Sequence, residues 1–139
     1  YFNSATGYGT LGYGLPAAIG ARLGSGRPVV ALAGDGGLQF TLGELASAAE
    51  ARVPLALLLH DNRGYGEIKS YMVAQGVPPL GVDLLTPDFI AIAGACGWTA
   101  KRLDSLAGLA PALRAAVSGD GPTLLLFDDA LRREAQPKD

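Results

Sequence analysis

Cysteine, positive charge and long apolar runs are all scarce in this sequence of 139 residues. Its one cysteine, Cys96, allows no disulfide within the chain, which fits a reducing compartment, and we expect a cytoplasmic location. Eleven Lys and Arg face 13 Asp and Glu, for a formal net charge of −2, and the basic residues do not cluster, which argues against nucleic acid as a partner. No apolar run reaches the roughly 18 residues of a membrane span and no signal sequence is visible, so we expect no membrane partner.

Apolar residues, in contrast, are abundant. They make up 49% of the chain, or about 60% when Gly is counted and Tyr is not, against roughly 45–50% in average proteins counted that way. The length indicates one domain. Two explanations for the surplus stay open: surfaces that pack against other domains or subunits, and a large core.

Apolar runs alternate with helix-like segments along the chain. We predict strands over residues 29–33, 55–59, 98–103 and 122–127. We predict helices over residues 15–23, 41–52, 67–72, 88–96 and 106–117, and the second begins at Thr41 with Glu44 at capping-box spacing. Loops are expected over residues 1–13, 34–37 and 76–87, and a polar tail over 131–139. The alternation, and strands that are apolar on both faces, predict an α/β fold with a doubly wound parallel sheet.

A polar residue follows each of the first two predicted strands. Asp35 stands in Gly34-Asp35-Gly36-Gly37, and Asn62 stands in Asp61-Asn62-Arg63-Gly64-Tyr65-Gly66. Parallel strands joined by a helix end at the same edge of a sheet, so Asp35 and Asn62 should meet there. A carboxylate, an amide oxygen and several glycine N–H groups suit a divalent cation that carries a diphosphate.

A second glycine pattern, Gly7-x-Gly9-x-x-Gly12, formally matches the dinucleotide-binding fingerprint. That fingerprint requires a strand immediately before its first glycine, and the short segment before Gly7 is a poor strand candidate. Its acidic residue binds a ribose, which would leave the glycines around Asp35 without a role. A dinucleotide-binding domain therefore remains the weaker alternative.

The two-part motif around Asp35 and Asn62 resembles the C-terminal, diphosphate-binding domain of thiamine diphosphate enzymes in the acetolactate synthase and benzoylformate decarboxylase group. The family signature is Gly-Asp-Gly, a spacer and a pair of Asn; here Asn62 is the second of the pair and Asp61 replaces the first. The resemblance, which covers nearly the whole chain, implies a thiamine diphosphate-binding fold. It implies that Mg²⁺ is bound by the side chains of Asp35 and Asn62 and by the main-chain oxygen of Gly64. It also implies that the phosphates are held by the N–H groups of Gly36, Gly37, Tyr65 and Gly66.

The resemblance assigns further residues to the organic part of the cofactor and to the substrate. Gly9 matches a glycine whose carbonyl bonds the amino group of the cofactor, and Leu11 matches an apolar side chain that wedges between the cofactor rings. Ordinary packing is the alternative for Leu11. Ile68 and Tyr71 align with positions that face the substrate, and helix packing is an equal alternative for both.

Two residues before Asn62 have no settled place in this resemblance. Asp61 adds a charge near the cation, and its role is open. His60 ends the second predicted strand, and we expect it to pack or to face solvent rather than to catalyse.

The activating glutamate of the family has no counterpart in this chain. In the family it lies on a separate pyrimidine-binding domain, of the same or a second subunit, and Glu44, Glu50 and Glu67 have the wrong context for it. We therefore expect no catalytic residue here. Residues 1–139 would be the C-terminal domain of a longer homodimeric or homotetrameric enzyme, either a decarboxylase of a small 2-oxo acid or an acetolactate synthase-like protein, and would be inactive alone. A non-catalytic assembly module of the same fold is the alternative.

Overall fold

A computed structural model of the chain describes residues 9–134. In chain order the elements are α1 (Gly14–Ser25), β1 (Val30–Gly34), α2 (Asp35–Leu38), a 3₁₀ turn (Gln39–Thr41), α3 (Glu44–Glu50), β2 (Ala56–Asp61), α4 (Gly66–Ala74), α5 (Phe89–Ala95), β3 (Thr99–Arg102), α6 (Leu106–Val117), β4 (Thr123–Asp128) and α7 (Asp129–Glu134). The predicted strands and helices are therefore present, with shifts of a few residues at their ends.

The strands form one parallel sheet in the order β1-β2-β4-β3. Gly34 at the end of β1 pairs with His60 near the end of β2, and Asp61 pairs with Asp128 at the end of β4. The carboxyl ends of these three strands consequently lie at one edge of the sheet.

Helices cover both faces of the sheet, as predicted for a doubly wound α/β fold. Successive strand residues point to opposite faces, so odd- and even-numbered residues of β2 join different cores. The larger core contains Leu57 and Leu59 of β2 together with side chains of α1, α3 and α5. The smaller core contains Ala56 of β2 and side chains of α6 and α7.

The short helix α2 replaces the loop predicted over residues 34–37. Its two glycines are poor helix formers, but Leu38 is 1% exposed, and burial of such a side chain outweighs weak propensity. The predicted capping box of Thr41 does not form either. The Thr41 hydroxyl donates instead to the Gly12 carbonyl at 3.0 Å, and α3 begins at Glu44 without a side-chain cap.

The polar tail predicted from Leu131 onwards was also partly wrong. Residues 129–134 form α7, which begins directly after Asp128. The apolar side chain of Leu131 packs into the smaller core. Residues 135–139 and the first eight residues of the predicted N-terminal loop lie outside the described part of the chain. Among the described residues, no helix is long and apolar enough to cross a membrane.

Candidate functional site

The three residues predicted to bind a cation lie together at the carboxyl edge of the sheet. Asp35 is completely buried, and its Oδ2 accepts a hydrogen bond from the Gly64 N–H at 3.0 Å. One terminal atom of the Asn62 amide lies 2.9 Å from Asp35 Oδ1 and 2.9 Å from the Gly64 carbonyl oxygen. With its NH₂ group turned this way, the amide donates a hydrogen bond to each of these oxygens.

The strand register explains why these residues meet. Gly34 and His60 are paired, so Asp35 and Asn62 each follow within two residues of the same position along the sheet. The chain then turns sharply at Arg63, whose φ of 59° lies in the left-handed region. Asp61 Oδ1 accepts a hydrogen bond from the Arg63 N–H at 3.3 Å, which stabilises the turn.

The irregular segment over residues 76–87 holds the Gly64 main chain in place. Gly64 forms an isolated antiparallel bridge with Asp83, and the Tyr65 N–H donates to the Val82 carbonyl at 2.8 Å. A side chain at Gly64 would overlap this Val82 carbonyl, so only glycine fits here. The Tyr65 N–H, which was expected to bind a phosphate, is therefore already occupied within the chain.

Within residues 9–134, the hydrogen-bond donors to the Asp35 carboxylate include no basic side chain. Burial raises the pKa of Asp35, the N–H groups of Gly36 and Gly64 lower it, and the nearby charge of Asp61 raises it again. The net effect is a pKa above the ordinary value. A cation between these oxygens would favour the ionised carboxylate.

A cavity of about 600 Å³ opens above this group of oxygens. Of the residues singled out in the sequence, its wall contains Leu11, Asp35, Gly36, Gly37, Asn62, Gly64, Tyr65, Gly66 and Ile68. Tyr71 and Gly9 are not part of this wall; Tyr71 is 68% exposed on α4, and Gly9 has a φ of 57° with open space around it. The structure therefore brings together most of the predicted site, but not all of it.

The cavity wall also contains residues that were not assigned to the site from the sequence, and three of these, His60, Asp129 and Arg132, form one group of contacts. His60 Nε2 lies 2.9 Å from Asp129 Oδ1, and Arg132 lies 3.7 Å from the same oxygen. The His60 ring stacks on Phe127 with 4.8 Å between centroids, so His60 packs as expected but also lines the cavity. Asp129 is the second residue after the last predicted strand, residues 122–127, and this position near the same edge of the sheet could have indicated its place in the site.

The donor set itself limits which metals fit. Among residues 9–134, no group of three or more His, Cys, Asp or Glu side chains is placed to hold a metal ion. A cation at Asp35 would depend on the amide of Asn62 and the carbonyl of Gly64 for its other protein ligands. Such an all-oxygen set is typical of Mg²⁺ and Ca²⁺ rather than of Zn²⁺.

Two solved structures of similar fold are decarboxylases. A thiamine diphosphate-dependent 4-hydroxybenzoylformate decarboxylase from Rhodococcus jostii superposes with a TM-score of 0.78 at 32% identity, over 85% of this chain and 23% of that one. A benzoylformate decarboxylase from Polynucleobacter necessarius superposes with a TM-score of 0.80 at 29% identity, over 87% of this chain and 24% of that one.

Curated relatives point to the same group of enzymes. A probable 2-ketoarginine decarboxylase of Pseudomonas aeruginosa is 43% identical over 92% of this chain, and a benzoylformate decarboxylase of that organism is 37% identical over 90%. A probable acetolactate synthase large subunit of Methanococcus aeolicus is 35% identical over 91%. The chain spans only 23%, 24% and 22% of the lengths of these three relatives.

The family model described as the thiamine pyrophosphate enzyme, C-terminal TPP binding domain, matches residues 1–127. This match replaces the dinucleotide-binding alternative and agrees with the parallel sheet and the cavity at its carboxyl edge. The chain belongs to the family of C-terminal thiamine diphosphate-binding domains of thiamine diphosphate enzymes.

Proposed function

We propose that this domain binds Mg²⁺ through Asp35, Asn62 and the Gly64 carbonyl, and that the cation binds the diphosphate of thiamine diphosphate in the cavity above. The distances at Asn62 carry this proposal. Octahedral Mg²⁺ with Mg–O distances of about 2.0–2.1 Å separates adjacent ligand oxygens by about 2.9 Å. With its oxygen turned inwards, the Asn62 amide would lie at that separation, 2.9 Å, from both Asp35 Oδ1 and the Gly64 carbonyl oxygen.

The glycines of the wall suit a diphosphate because they bring the main chain close to it. The first N–H groups of a helix have no partner within the helix, and α2 and α4 both begin at this cavity, with Gly36, Gly37 and Gly66 in their first turns. The ring of Tyr65 packs against Gly36, where an added Cβ would come within 2.8 Å of it. Tyr65 would therefore contribute its ring to the wall and not its N–H group.

Bound thiamine diphosphate supplies the reactive thiazolium carbon at which 2-oxo acids are decarboxylated or joined. The residues of this chain hold and orient that group. Leu11 lines the cavity and is 42% exposed, which leaves its side chain free to contact the organic rings. Ile68 lines the cavity on α4 and is the better of the two candidates for substrate contact, since Tyr71 lies outside the wall.

We further propose that residues 1–139 are the C-terminal domain of a longer, homo-oligomeric 2-oxo acid decarboxylase or acetolactate synthase-like enzyme. The activating glutamate would come from a pyrimidine-binding domain of the same or a second subunit. Exposed apolar side chains support this, because a parallel sheet is normally covered on both faces. Leu32 on the edge strand β1 is 67% exposed, and Leu80 and Leu85 in the segment 76–87 are 84% and 95% exposed.

A guanidino 2-oxo acid is the first substrate to test, because a relative with 43% identity is named a probable 2-ketoarginine decarboxylase. The carboxylate of Glu67 in the cavity wall would favour a cationic side chain. Two other carboxylates of the wall, Asp83 and Asp129, are paired with Lys69 and Arg132. Benzoylformate and pyruvate, whose side chains carry no charge, serve as the comparison substrates.

Calorimetric titration of thiamine diphosphate with and without Mg²⁺ tests the cation site. Each ligand should tighten the other by the same factor, because the cation lies between the Asp35 charge and the diphosphate. Asp35→Ala should abolish this coupling, and Asn62→Ala should weaken it less, since water can replace a neutral ligand. Leu11→Ala is the matched control and should keep the coupling. Wild-type coupling in Asp35→Ala would place the cation elsewhere.

The same titration separates the enzyme from a non-catalytic assembly module. A module that only mediates assembly needs no mutual dependence of Mg²⁺ and thiamine diphosphate, whereas the proposed enzyme domain requires it. Absence of any coupling in the longer protein would favour the module.

A further inference from the structure

The Asn62 amide faces two oxygens that are both hydrogen-bond acceptors. An ionised carboxylate and a main-chain carbonyl have no proton to donate, so Asp35 Oδ1 and the Gly64 oxygen need a donor or a cation. Were the amide oxygen directed at them, it would lie 2.9 Å from each of two other acceptor oxygens. With the NH₂ group directed at them, both contacts become hydrogen bonds of 2.9 Å.

The cation requires the opposite orientation of the same amide. Mg²⁺ is bound by oxygen, so the proposed site needs the Asn62 oxygen where the NH₂ group lies in the hydrogen-bonded arrangement. A half-turn of the terminal amide exchanges these two atoms while the shape of the side chain stays nearly the same. The change is therefore chemical and local, and it requires no movement of the main chain.

We propose that the Asn62 amide takes the place of the cation in the metal-free protein and turns its oxygen inwards when Mg²⁺ binds. This inference rests on the cation site proposed above. It explains how Asp35 can stay completely buried in the metal-free protein without a basic partner, because its Oδ2 is bonded by Gly64 N–H and its Oδ1 by the amide.

Gly66 provides the space in which the amide lies and turns. A Cβ at this position would overlap the terminal atom of the Asn62 amide that points away from Asp35, whichever of the two atoms lies there. Gly66 thus acts as a positioning residue for Asn62, in addition to any N–H contact with a phosphate. Gly20 in α1 offers a matched comparison, because a Cβ there would meet no atom within 4 Å.

The amide protons of Asn62 report directly on this arrangement. The chain has two asparagines, Asn3 and Asn62, so ¹⁵N-asparagine labelling gives signals from two side-chain NH₂ groups. The signals that disappear in the Asn62→Asp spectrum are those of Asn62. In metal-free protein the Asn62 protons should exchange with solvent more slowly than those of free asparagine. Mg²⁺ with thiamine diphosphate should shift both signals and remove the slow exchange.

Two substitutions test the same idea by stability and exchange. Asn62→Asp removes the donor, so it should lower the melting temperature of metal-free protein and enlarge the rise that Mg²⁺ produces. Ser70→Asp, which adds the same charge on the cavity wall, should do neither. Gly66→Ala should remove the slow exchange of the Asn62 protons, whereas Gly20→Ala should preserve it.

Exchange at the rate of free asparagine in the metal-free protein would overturn the inference. So would slow exchange that persists unchanged after calorimetry has demonstrated Mg²⁺ binding, since the cation would then bind without the turn. If calorimetry detects no Mg²⁺ dependence of thiamine diphosphate binding, the proposed cation site itself is wrong, and that result is distinct from both exchange outcomes.

Discussion

His60 Nε2 and Asp129 Oδ1 lie 2.9 Å apart and join the carboxyl end of β2 to the first residue of α7. The His60 side chain is 16% exposed and that of Asp129 is 48% exposed, so water screens the pair only in part. The pair connects the strand that leads to Asn62 with the last described helix. It thereby stabilises the part of the cavity wall that β2 and α7 form.

This contact should couple the two residues in stability. We expect His60→Ala and Asp129→Ala to be non-additive in urea unfolding, with a coupling below about 1 kcal/mol because Asp129 is half exposed. A double-mutant cycle measures this. Asp88→Ala paired with His60→Ala is the control for additivity, since the Asp88 side chain caps α5 by accepting from the Ala91 N–H and bonds neither His60 nor Asp129. Full additivity of the His60 and Asp129 variants would mean that the contact contributes nothing.

Asp35 should make the metal-free protein less stable as the pH rises. Burial raises its folded-state pKa above the unfolded value of about 3.9, so the folded state holds the proton longer. Stability is therefore lost as the pH rises from about 3.9 through the raised pKa, and it is regained on acidification.

Asp35→Asn should remove this part of the pH dependence and make the metal-free protein more stable at neutral pH. It should also remove the stabilisation by Mg²⁺. Thermal unfolding across pH, with Mg²⁺ and with a chelator, measures both effects. Equal Mg²⁺ stabilisation of wild type and variant would contradict the role given to Asp35.

Asp128 should stabilise the start of α7. Its Oδ1 accepts hydrogen bonds from the N–H groups of Leu131, at 3.2 Å, and Ala130, at 2.9 Å, and these bonds hold the pKa of Asp128 below its ordinary value. The stabilisation is present above the unfolded pKa of about 3.9 and is lost as the pH falls through the lowered folded-state pKa.

Asp128→Ala should therefore cost about 0.5–1 kcal/mol at neutral pH, at the low end for a helix cap because the side chain is half exposed. Asp128→Asn should retain most of the stability but lose the acid sensitivity. Urea unfolding at neutral and acidic pH measures both. If Asp128→Asn lost as much stability at acidic pH as the wild type, another carboxylate would be the cause of that loss.

The 139-residue chain alone should release no CO₂ from 2-oxo acids and should self-associate. The activating glutamate is expected on another domain, and apolar side chains such as Leu32 and Leu85 are exposed and available for association. Activity assays with thiamine diphosphate and Mg²⁺, and light scattering at rising concentration, measure these properties. Robust CO₂ release by the purified 139-residue chain would contradict the expectation.

The alternation of apolar runs with helix-like segments, and the glycine and proline residues between them, were enough to predict the parallel sheet. The apolar runs before Asp35 and Asn62 are buried strands, and the rule that parallel strands end at one edge placed these two residues in contact. These signals are local, because each run and each glycine motif can be recognised within a short window. The same holds for α5, which Asp88 caps by accepting a hydrogen bond from the Ala91 N–H at 3.0 Å.

Contacts between distant segments could not be predicted in this way. The Gly64–Asp83 bridge joins two irregular segments through main-chain groups, which every residue possesses, so no side chain signals it. Thr41 illustrates the same limit from the other side. Its spacing to Glu44 predicts a helix cap, but the Thr41 hydroxyl instead donates a hydrogen bond to the Gly12 carbonyl, 29 positions earlier.

The bridge between Gly64 and Asp83 has a consequence for how this domain can change. The Gly64 carbonyl is oriented by backbone pairing, so exposed side chains in the segment 76–87 can be exchanged without moving it. The exceptions are Val82, which is buried, and Gly76 and Gly81, which have positive φ. The length of the segment is another matter. One inserted or deleted residue would shift the pairing, so that a different main-chain carbonyl would face the Tyr65 N–H and the Gly64 main chain would lose its present support. This stretch should therefore tolerate substitution far better than it tolerates a change in residue number.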